Sequence, residues 1–543
     1  MLQRTVLIAG LLLLSALSLR AAELPVPSIP SDDELEKSGA VIGDVAIRVQ
    51  DIFDPEDPRE DHRLYRWADR LHRDTRDSVI ASQLLFKPGD RYSRRVLDES
   101  ERILRQNRYL YDVQIRPVRW NGNRVDVEVV TRDVWTLNAG VGIGRSGGVT
   151  STSFKVQDTN LLGTGKSLTL VRQSDVDRNS TLFRYDDPGM LGSRVRMSLS
   201  WSDNSDGSLK YVDVTRPFYA MDTRWSAGLT ALEDDRVDPL YVLGHATDRF
   251  RHQVDRFELR GGLSHGLVDG WARRWSTGFT FQRDRFEAAA GLPAPSLLPE
   301  DRTLSYPWVA LDILEDDFLK AKDLDQIHRT EDFEVGSQLH LLLGWSSPLF
   351  GGDRDAAVFD GLAGTGFRLT PRQTLLLSSE LSGRWGSSGA ENLLLHGSAR
   401  YYWRDFGDHL LFATLEGDAG RRLDPERQIL LGGDSGLRGY PLRYQDGDAR
   451  ALLTLEQRFF TDIYPLRLFH VGGAVFFDIG RTWAGESGLA PNYEWLRDVG
   501  VGLRLSPSRS GLANVVHIDL AFPLDGDGSI QRMQWLVRTK ASF

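Results

Sequence analysis

Gln534-Trp535-Leu536-Val537-Arg538-Thr539-Lys540-Ala541-Ser542-Phe543 closes the sequence, and its period sets how the rest is read. Trp535, Val537, Thr539, Ala541 and Phe543 fall on one side of an extended chain, and Gln534, Arg538, Lys540 and Ser542 fall on the other. Successive side chains of a strand point to opposite faces, so this segment is a strand with one apolar and one polar face. The same dyad returns upstream. Val516, Ile518, Leu520 and Phe522 oppose His517 and Asp519, and Val499, Val501, Leu503 and Leu505 oppose Gly500, Gly502, Arg504 and Ser506. Leu453, Leu455 and Phe459 oppose Thr454, Glu456 and Arg458, while Val195, Met197, Leu199 and Trp201 oppose Arg194, Arg196, Ser198 and Ser200. From Trp135 onward this alternation, broken by Gly, Asp, Asn and Pro clusters, replaces helical periodicity.

Alternation alone fits a soluble sandwich or a membrane barrel, since both bury one face of each strand. Three features favour the barrel. Arg196, Glu416, Asp478, Arg504 and Arg538 share a face of strands whose other face is apolar, as a wet lumen and a lipid exterior require. Aromatics such as Tyr401, Tyr402 and Trp403 sit near strand ends, matching an interfacial girdle. The terminal aromatic strand, with Trp535, Val537 and Phe543, looks like the assembly signal of outer-membrane barrels. At roughly 25 residues per strand with its connection, about 400 residues predict an antiparallel transmembrane barrel of about 16 strands over 134–543.

Composition agrees. The 543 residues are 26% charged and 41% hydrophobic, with a mean hydropathy of -0.32, which excludes a polytopic helical membrane protein. No cysteine is present, so disulfide frameworks, thiolate metal sites and cysteine nucleophiles are excluded. A net charge of -10 argues against nucleic-acid binding. Met1 to Ala22 has a basic start and an apolar run of about 14 residues, short of a membrane span, and reads as a signal peptide over 1–22. Residues 23–40 are polar and read as a flexible lead-in.

Residues 41–133 form a small α+β unit. Val41, Gly43, Val45, Ile47 and Val49 alternate as a strand. Asp77 opens a short helix carrying Val79, Ile80, Leu84 and Leu85, and Ser93 caps a second with Val96, Leu97, Ser100, Ile103 and Leu104 on one stripe. Two strands follow, Tyr111, Val113 and Ile115 on one, Val125, Val127 and Val129 on the other, with Asn121-Gly122 at the hairpin turn. This order, with Leu85-Phe86-Lys87-Pro88-Gly89-Asp90 before the second helix and Arg108-Tyr109-Leu110-Tyr111-Asp112-Val113 after it, resembles one POTRA domain. The resemblance implies a periplasmic module that receives extended clients or a periplasmic partner by β-augmentation, which needs free backbone groups rather than a catalytic side chain. A rigid spacer is the other reading.

Gly432-Gly433-Asp434-Ser435-Gly436-Leu437-Arg438-Gly439-Tyr440 lies in a loop too long to be a bare connection. Its Leu-Arg-Gly-Tyr core resembles the sixth extracellular loop of the BamA superfamily, which folds back into the lumen. Motifs in the same order follow: Glu456 with Arg458, Phe476-Phe477-Asp478-Ile479-Gly480, Gly500-Val501-Gly502-Leu503-Arg504 and Asp519 to Leu524. Asp158 to Gly165 and Tyr185-Asp186-Asp187-Pro188 look like the family's first barrel hairpins. A guanidinium in a confined lumen needs a planar anion. The alternation turns Asp478 inward and Val475 and Phe477 outward, so Arg438 is expected to pair with Asp478, with Glu456 as second acceptor. Gly436 and Gly439 would let the backbone turn on either side of Arg438, and Tyr440 completes the expected latch.

Enzyme signals are weak. Gly144-Arg145-Ser146-Gly147-Gly148 matches G-x-S-x-G but sits in a hairpin, not a strand-to-helix elbow. Ser435 lies in the loop motif. Gly163-Thr164-Gly165-Lys166-Ser167 lacks the first glycine of a phosphate loop, since Asn160 stands there. His62 and His72 lie in a charged stretch and read as solvated. The resemblance implies a monomeric, lipid-surrounded outer-membrane barrel with its POTRA domain in the periplasm, needing no cofactor, metal or catalytic residue, that inserts or exports polypeptides. A passive pore or lipid-handling barrel is the alternative, and a hydrolase using Ser146 or Ser435 ranks last.

Overall fold

A computed structural model describes residues 29–540 apart from 55, 405–406, 408, 485–492, 512–513 and 527. The expected signal peptide and Phe543 lie outside the described residues. The chain divides into two compact units, one of residues 1–46, 86–98 and 115–129, the other of 47–85, 99–114 and 130–543.

The lead-in is not wholly flexible. Ser31 caps helix α1 (Asp32–Lys37), its side chain accepting from the Glu34 N–H while the Glu34 carboxylate accepts from the Ser31 N–H. This reciprocal box was present in the sequence as Ser31-x-x-Glu34. Leu35 is buried, and the Tyr92 hydroxyl donates to Asp32. Strand β1 (Val41–Gln50) precedes helices α2 (Arg63–Leu71), α3 (Asp77–Ala81) and α4 (Arg94–Arg105). Strands β2 (Leu110–Trp120) and β3 (Arg124–Asp133) complete a sheet of order β1-β3-β2. Arg76 rather than Asp77 occupies the N-cap of α3, without a side-chain bond. The β2–β3 turn holds Gly122 at a φ of 92°, as the Asn-Gly pair predicts.

The barrel opens with six short strands: β4 (Leu137–Ser146), β5 (Val149–Asp158), β6 (Ser167–Ser174), β7 (Asn179–Asp187), β8 (Arg196–Asn204) and β9 (Gly207–Arg216). Four longer ones follow, β10 (Trp225–Val242), β11 (His245–Val268), β12 (Trp271–Ala288) and β13 (Arg302–Glu315). After a small hairpin, β14 (Phe318–Lys322) and β15 (Thr330–Glu334), the wall resumes with β16 (Gln338–Ser346), β17 (Ala356–Thr370), β18 (Gln373–Gly386), β19 (Gly389–Trp403) and β20 (His409–Arg421). A second ribbon, β21 (Ile429–Leu431) and β22 (Gln445–Gly447), lies in the long loop before β23 (Ala449–Phe460). The wall ends with β24 (Phe469–Trp483), β25 (Leu496–Pro507), β26 (Val515–Pro523) and β27 (Gln534–Lys540).

Without its two ribbons this series closes into an antiparallel barrel of 20 strands among the described residues, not the 16 that a uniform strand repeat predicts. The cause is turn length. Gly147-Gly148 and Ser205-Asp206 each join neighbours with two residues, and the strands they join are short, so six strands fit between Leu137 and Arg216; Leu243-Gly244 and Asp269-Gly270 make equally tight turns further on. Gly147 and Gly148 have φ of 53° and 83°, the positive pair that two-residue hairpins of primed type need. We call the rim where β4 begins and β27 ends proximal, and the other distal.

The outward face carries Val141, Leu263, Trp275, Leu343, Trp345 and Trp385, each more than half exposed. They belong to an apolar surface that runs along nearly every wall strand, far beyond the patches a soluble monomer exposes. The inward face buries charge: Asp478, Asp498, Arg504 and Asp519 are fully buried. The barrel is therefore of the outer-membrane type. Tyr402 departs from the expected girdle. It points inward, 1% exposed, against Phe333 and Phe412, whereas its neighbour Trp403 faces outward.

The Asp158 to Gly165 motif forms the proximal β5–β6 turn. Leu162 is left-handed at φ 54°, and the Gly163 carbonyl accepts from the Arg76 N–H at 3.0 Å. Asn160 Nδ2 donates to Thr75 Oγ1 at 2.7 Å. The imidazole of His72, far from solvated, is buried with Nε2 3.0 Å from Asp133 Oδ2, and the Thr75 N–H donates to that carboxylate at 2.8 Å. Asp74 lies close enough to complete a three-ligand group with His72 and Asp133, but the Asp133 oxygens are already engaged as acceptors by Thr75. A Cβ on Gly163, already at φ 71°, would stand 2.2 Å from the Asp74 carbonyl oxygen. Gly163→Ala is expected to undock residues 72–76 and open Arg73 and Arg76 to trypsin, with the barrel still folded. Unchanged cleavage at both arginines would contradict this.

Candidate functional site

Two segments enter the lumen. From the distal rim comes the loop between β20 and β23. Gly436 takes φ 134°, and a Cβ there would stand 2.2 Å from Leu452 Cδ2. Gly439 needs no left-handed backbone; its constraint is close approach, since a Cβ would lie 2.8 Å from Asp498 Cβ. Between them Arg438 is 3% exposed. Its Nε and Nη2 donate to the two oxygens of Asp478 at 2.7 and 2.9 Å, and Nη1 donates to Glu456 Oε1 at 2.7 Å. The guanidinium also lies over the Phe476 ring, 3.4 Å from its centroid. Forked recognition of a carboxylate is the geometry arginine offers and lysine does not.

Further residues complete this cluster, Thr454 and Asp498 unanticipated, Arg458 and Tyr440 already part of the sequence motifs. Thr454 Oγ1 donates to Asp478 Oδ1 at 2.8 Å, and Arg458 Nε donates to Glu456 Oε2 at 3.1 Å. Asp498 accepts from the Gly439 N–H at 3.0 Å. The Tyr440 hydroxyl donates to the Arg497 carbonyl at 2.7 Å and accepts from the Asp525 N–H at 3.3 Å. Asp498 shares a face with Gly500, Gly502 and Arg504, so the alternation was signal enough to place it in the lumen.

From the proximal rim comes the β14–β15 hairpin. Leu324, Ile327 and Val335 pack against Leu376, Tyr402, Leu410 and Phe412 of the inner wall. Its tip meets the latch cluster: Arg458 Nη1 donates to the Leu324 carbonyl at 2.7 Å, and the Tyr402 hydroxyl donates to Asp325. Its base is tied to α4, with Arg105 to Asp332 at 2.7 Å, Arg102 to Asp316 at 3.1 Å and Lys320 to Glu101 at 2.7 Å. The hairpin lies outside the spanning wall, and burial pushes the Glu331 carboxyl up to about 8, against opposing bonds from the Leu324 and Asp325 N–H groups. An acid whose pKa is raised on seating supports the seated state fully below the unfolded value of about 4.3 and loses that support as pH climbs through the seated one. A nitroxide on Lys322→Cys should therefore gain mobility between about pH 5 and about pH 9, and Glu331→Gln should flatten that profile. An equally steep profile in the variant would contradict the assignment.

The two ends of the wall meet weakly. β27 runs in register with β26 from Gln534 to Lys540, yet among the described residues it meets β4 only at Val537 opposite Arg145. Gly140, Gly142 and Gly144 leave the middle of the inner face of β4 without side chains, which weakens a strand. The infolded loop bridges this seam. The Gly433 carbonyl accepts from Ser146 Oγ of β4 at 2.6 Å and from Arg538 Nη1 of β27 at 3.0 Å. Ser146, considered as a nucleophile, is thus engaged as a structural donor, while Ser435 Oγ is buried without a partner. Trp535 faces outward, with Arg145 over its ring at 4.8 Å.

Residues 72–132 match the family model for POTRA, described as surface antigen variable number repeat. No curated protein matches the chain. Among solved structures, BamA from Haemophilus ducreyi lacking POTRA domains 1-3 is similar, with 13% identity, 92% of this chain and 85% of that one covered, and a TM-score of 0.39. CdiB from Acinetobacter baumannii (12% identity, 92% and 73% covered, TM-score 0.42) and CdiB from Escherichia coli (15%, 93% and 77%, 0.43) are similar as well. A POTRA domain followed by a closed barrel with an apolar exterior defines a POTRA-bearing outer-membrane barrel protein.

Proposed function

We propose that the protein inserts or exports polypeptides at the outer membrane, with its POTRA domain in the periplasm receiving the client and the β4–β27 seam admitting it. The seam is the observation that carries this reading. Backbone N–H and C=O groups left unpaired along two facing edges are a template for an incoming strand, and among the described residues β4 and β27 pair at one position while their outer neighbours pair along their length. Client pairing and folding would supply the free energy, without a nucleotide. Loop and hairpin both occupy the lumen, which speaks against a passive pore. Depletion followed by quantitative outer-membrane proteomics tests the proposal: selective loss of one or more barrels or exported proteins is expected, and an unchanged profile would overturn it. No catalytic role is assigned.

A further inference from the structure

Between the infolded loop and the hairpin tip lies a cavity of about 370 Å³. Six cations line it. Three are answered by carboxylates: Arg438 by Asp478 and Glu456, Arg450 by Asp418, and Arg458 by Glu456 and Asp325. The other three, Arg400, Arg538 and Lys540, make no direct ion pair among the described residues, although Glu416 and Asp434 also line the space. Arg538 donates to the Gly433 carbonyl, and its Nε is buried without an acceptor. The buried, unpartnered Ser435 Oγ lines the same space.

Cations withdrawn from bulk water are costly unless an anion or a set of acceptors answers them. Arg538 and Lys540 are half-buried and Arg400 is exposed to the lumen, and together with the idle hydroxyl they turn unanswered donors toward one space. Two guanidiniums, an ammonium and a hydroxyl offer more donors than the two oxygens of a carboxylate use, whereas a tetrahedral phosphate presents three oxygens or more. We propose that this luminal cavity binds a phosphate-bearing group, held by Arg400, Arg538 and Lys540 with Ser435. Its volume, at the small end of ligand pockets, suits a phosphate or diphosphate rather than a whole lipid. Arg538 and Lys540 stand on the seam strand, so a lipid headgroup reaching in from the bilayer and a free phosphate entering through the lumen are the two sources. The site does not depend on polypeptides passing the seam.

Calorimetric titration of the detergent-solubilised full chain with inorganic pyrophosphate, and native mass spectrometry with phosphatidic acid against diacylglycerol, test the site. Saturable binding to at least one phosphate probe is expected, weakened at least about tenfold in Arg400→Gln/Lys540→Gln, the scale of losing charge-assisted hydrogen bonds. Arg538 is left intact because it also holds Gly433. Retention of phosphatidic acid but not diacylglycerol assigns a lipid headgroup; pyrophosphate binding alone assigns a free phosphate. Each single substitution replaces the pair if the double variant fails to fold. No saturable binding by either probe, or equal affinity in parent and variant, overturns the proposal.

Discussion

Arg438→Ala is expected to destabilise the folded barrel by about 3–5 kcal/mol, the cost of stranding buried charge. Asp478 and Glu456 are both buried, and the fork that neutralises Asp478 through two hydrogen bonds disappears with the guanidinium. Thr454 still donates to Asp478, and Arg458 still donates to Glu456, so the loss is partial at Glu456 and nearly complete at Asp478. The loop loses its anchor, and the Gly433 carbonyl that joins Ser146 to Arg538 loses its support. Denaturant titration followed by tryptophan fluorescence, with heat-modifiable migration as a check of the barrel, reads the effect. Arg438→Lys should fall between, since an ammonium keeps the charge but not the fork. Adding Asp478→Asn to Arg438→Ala should recover part of the loss, because the stranded charge is removed. Parent-like stability of Arg438→Ala would show that the loop is not latched by this contact.

That latch was legible in sequence because its ingredients are local to each strand. Period two alone turns Asp478 and Glu456 inward, and within the Gly-rich stretch from Gly432 to Tyr440 Arg438 is the one cation that can meet them. The POTRA order was legible for a similar reason: helix stripes and a hairpin turn are short-range patterns. Strand number was not, because it depends on turn lengths, and a uniform repeat cannot anticipate pairs such as Gly147-Gly148. The hairpin within the lumen was hidden because Phe318 to Lys322 and Thr330 to Glu334 resemble any short polar strands; only closure of β13 directly onto β16 excludes them from the wall. Tyr402 and His72 were misplaced by the same gap. Each sits in a polar or terminal stretch, and each is buried by a partner distant in sequence, Asp325 and Asp133.

The second large effect concerns the seam. The chain has no cysteine, so Arg145→Cys with Val537→Cys introduces a single thiol pair at the one position where, among the described residues, β4 and β27 pair. Facing residues of an antiparallel pair stand about 4.5–5.5 Å apart at Cα, within the span a disulfide bridges. The oxidised protein keeps its POTRA domain, its loop latch and its hairpin, and loses only the freedom of the two edges to part. Steric hindrance of a client at the POTRA domain is therefore not an explanation for any defect. In cells depleted of the native copy, the oxidised double variant should fail to restore the lost outer-membrane or exported proteins, each single cysteine variant should restore them, and reductant should rescue the double variant. Full restoration by the quantitatively cross-linked protein would contradict a seam that opens to clients.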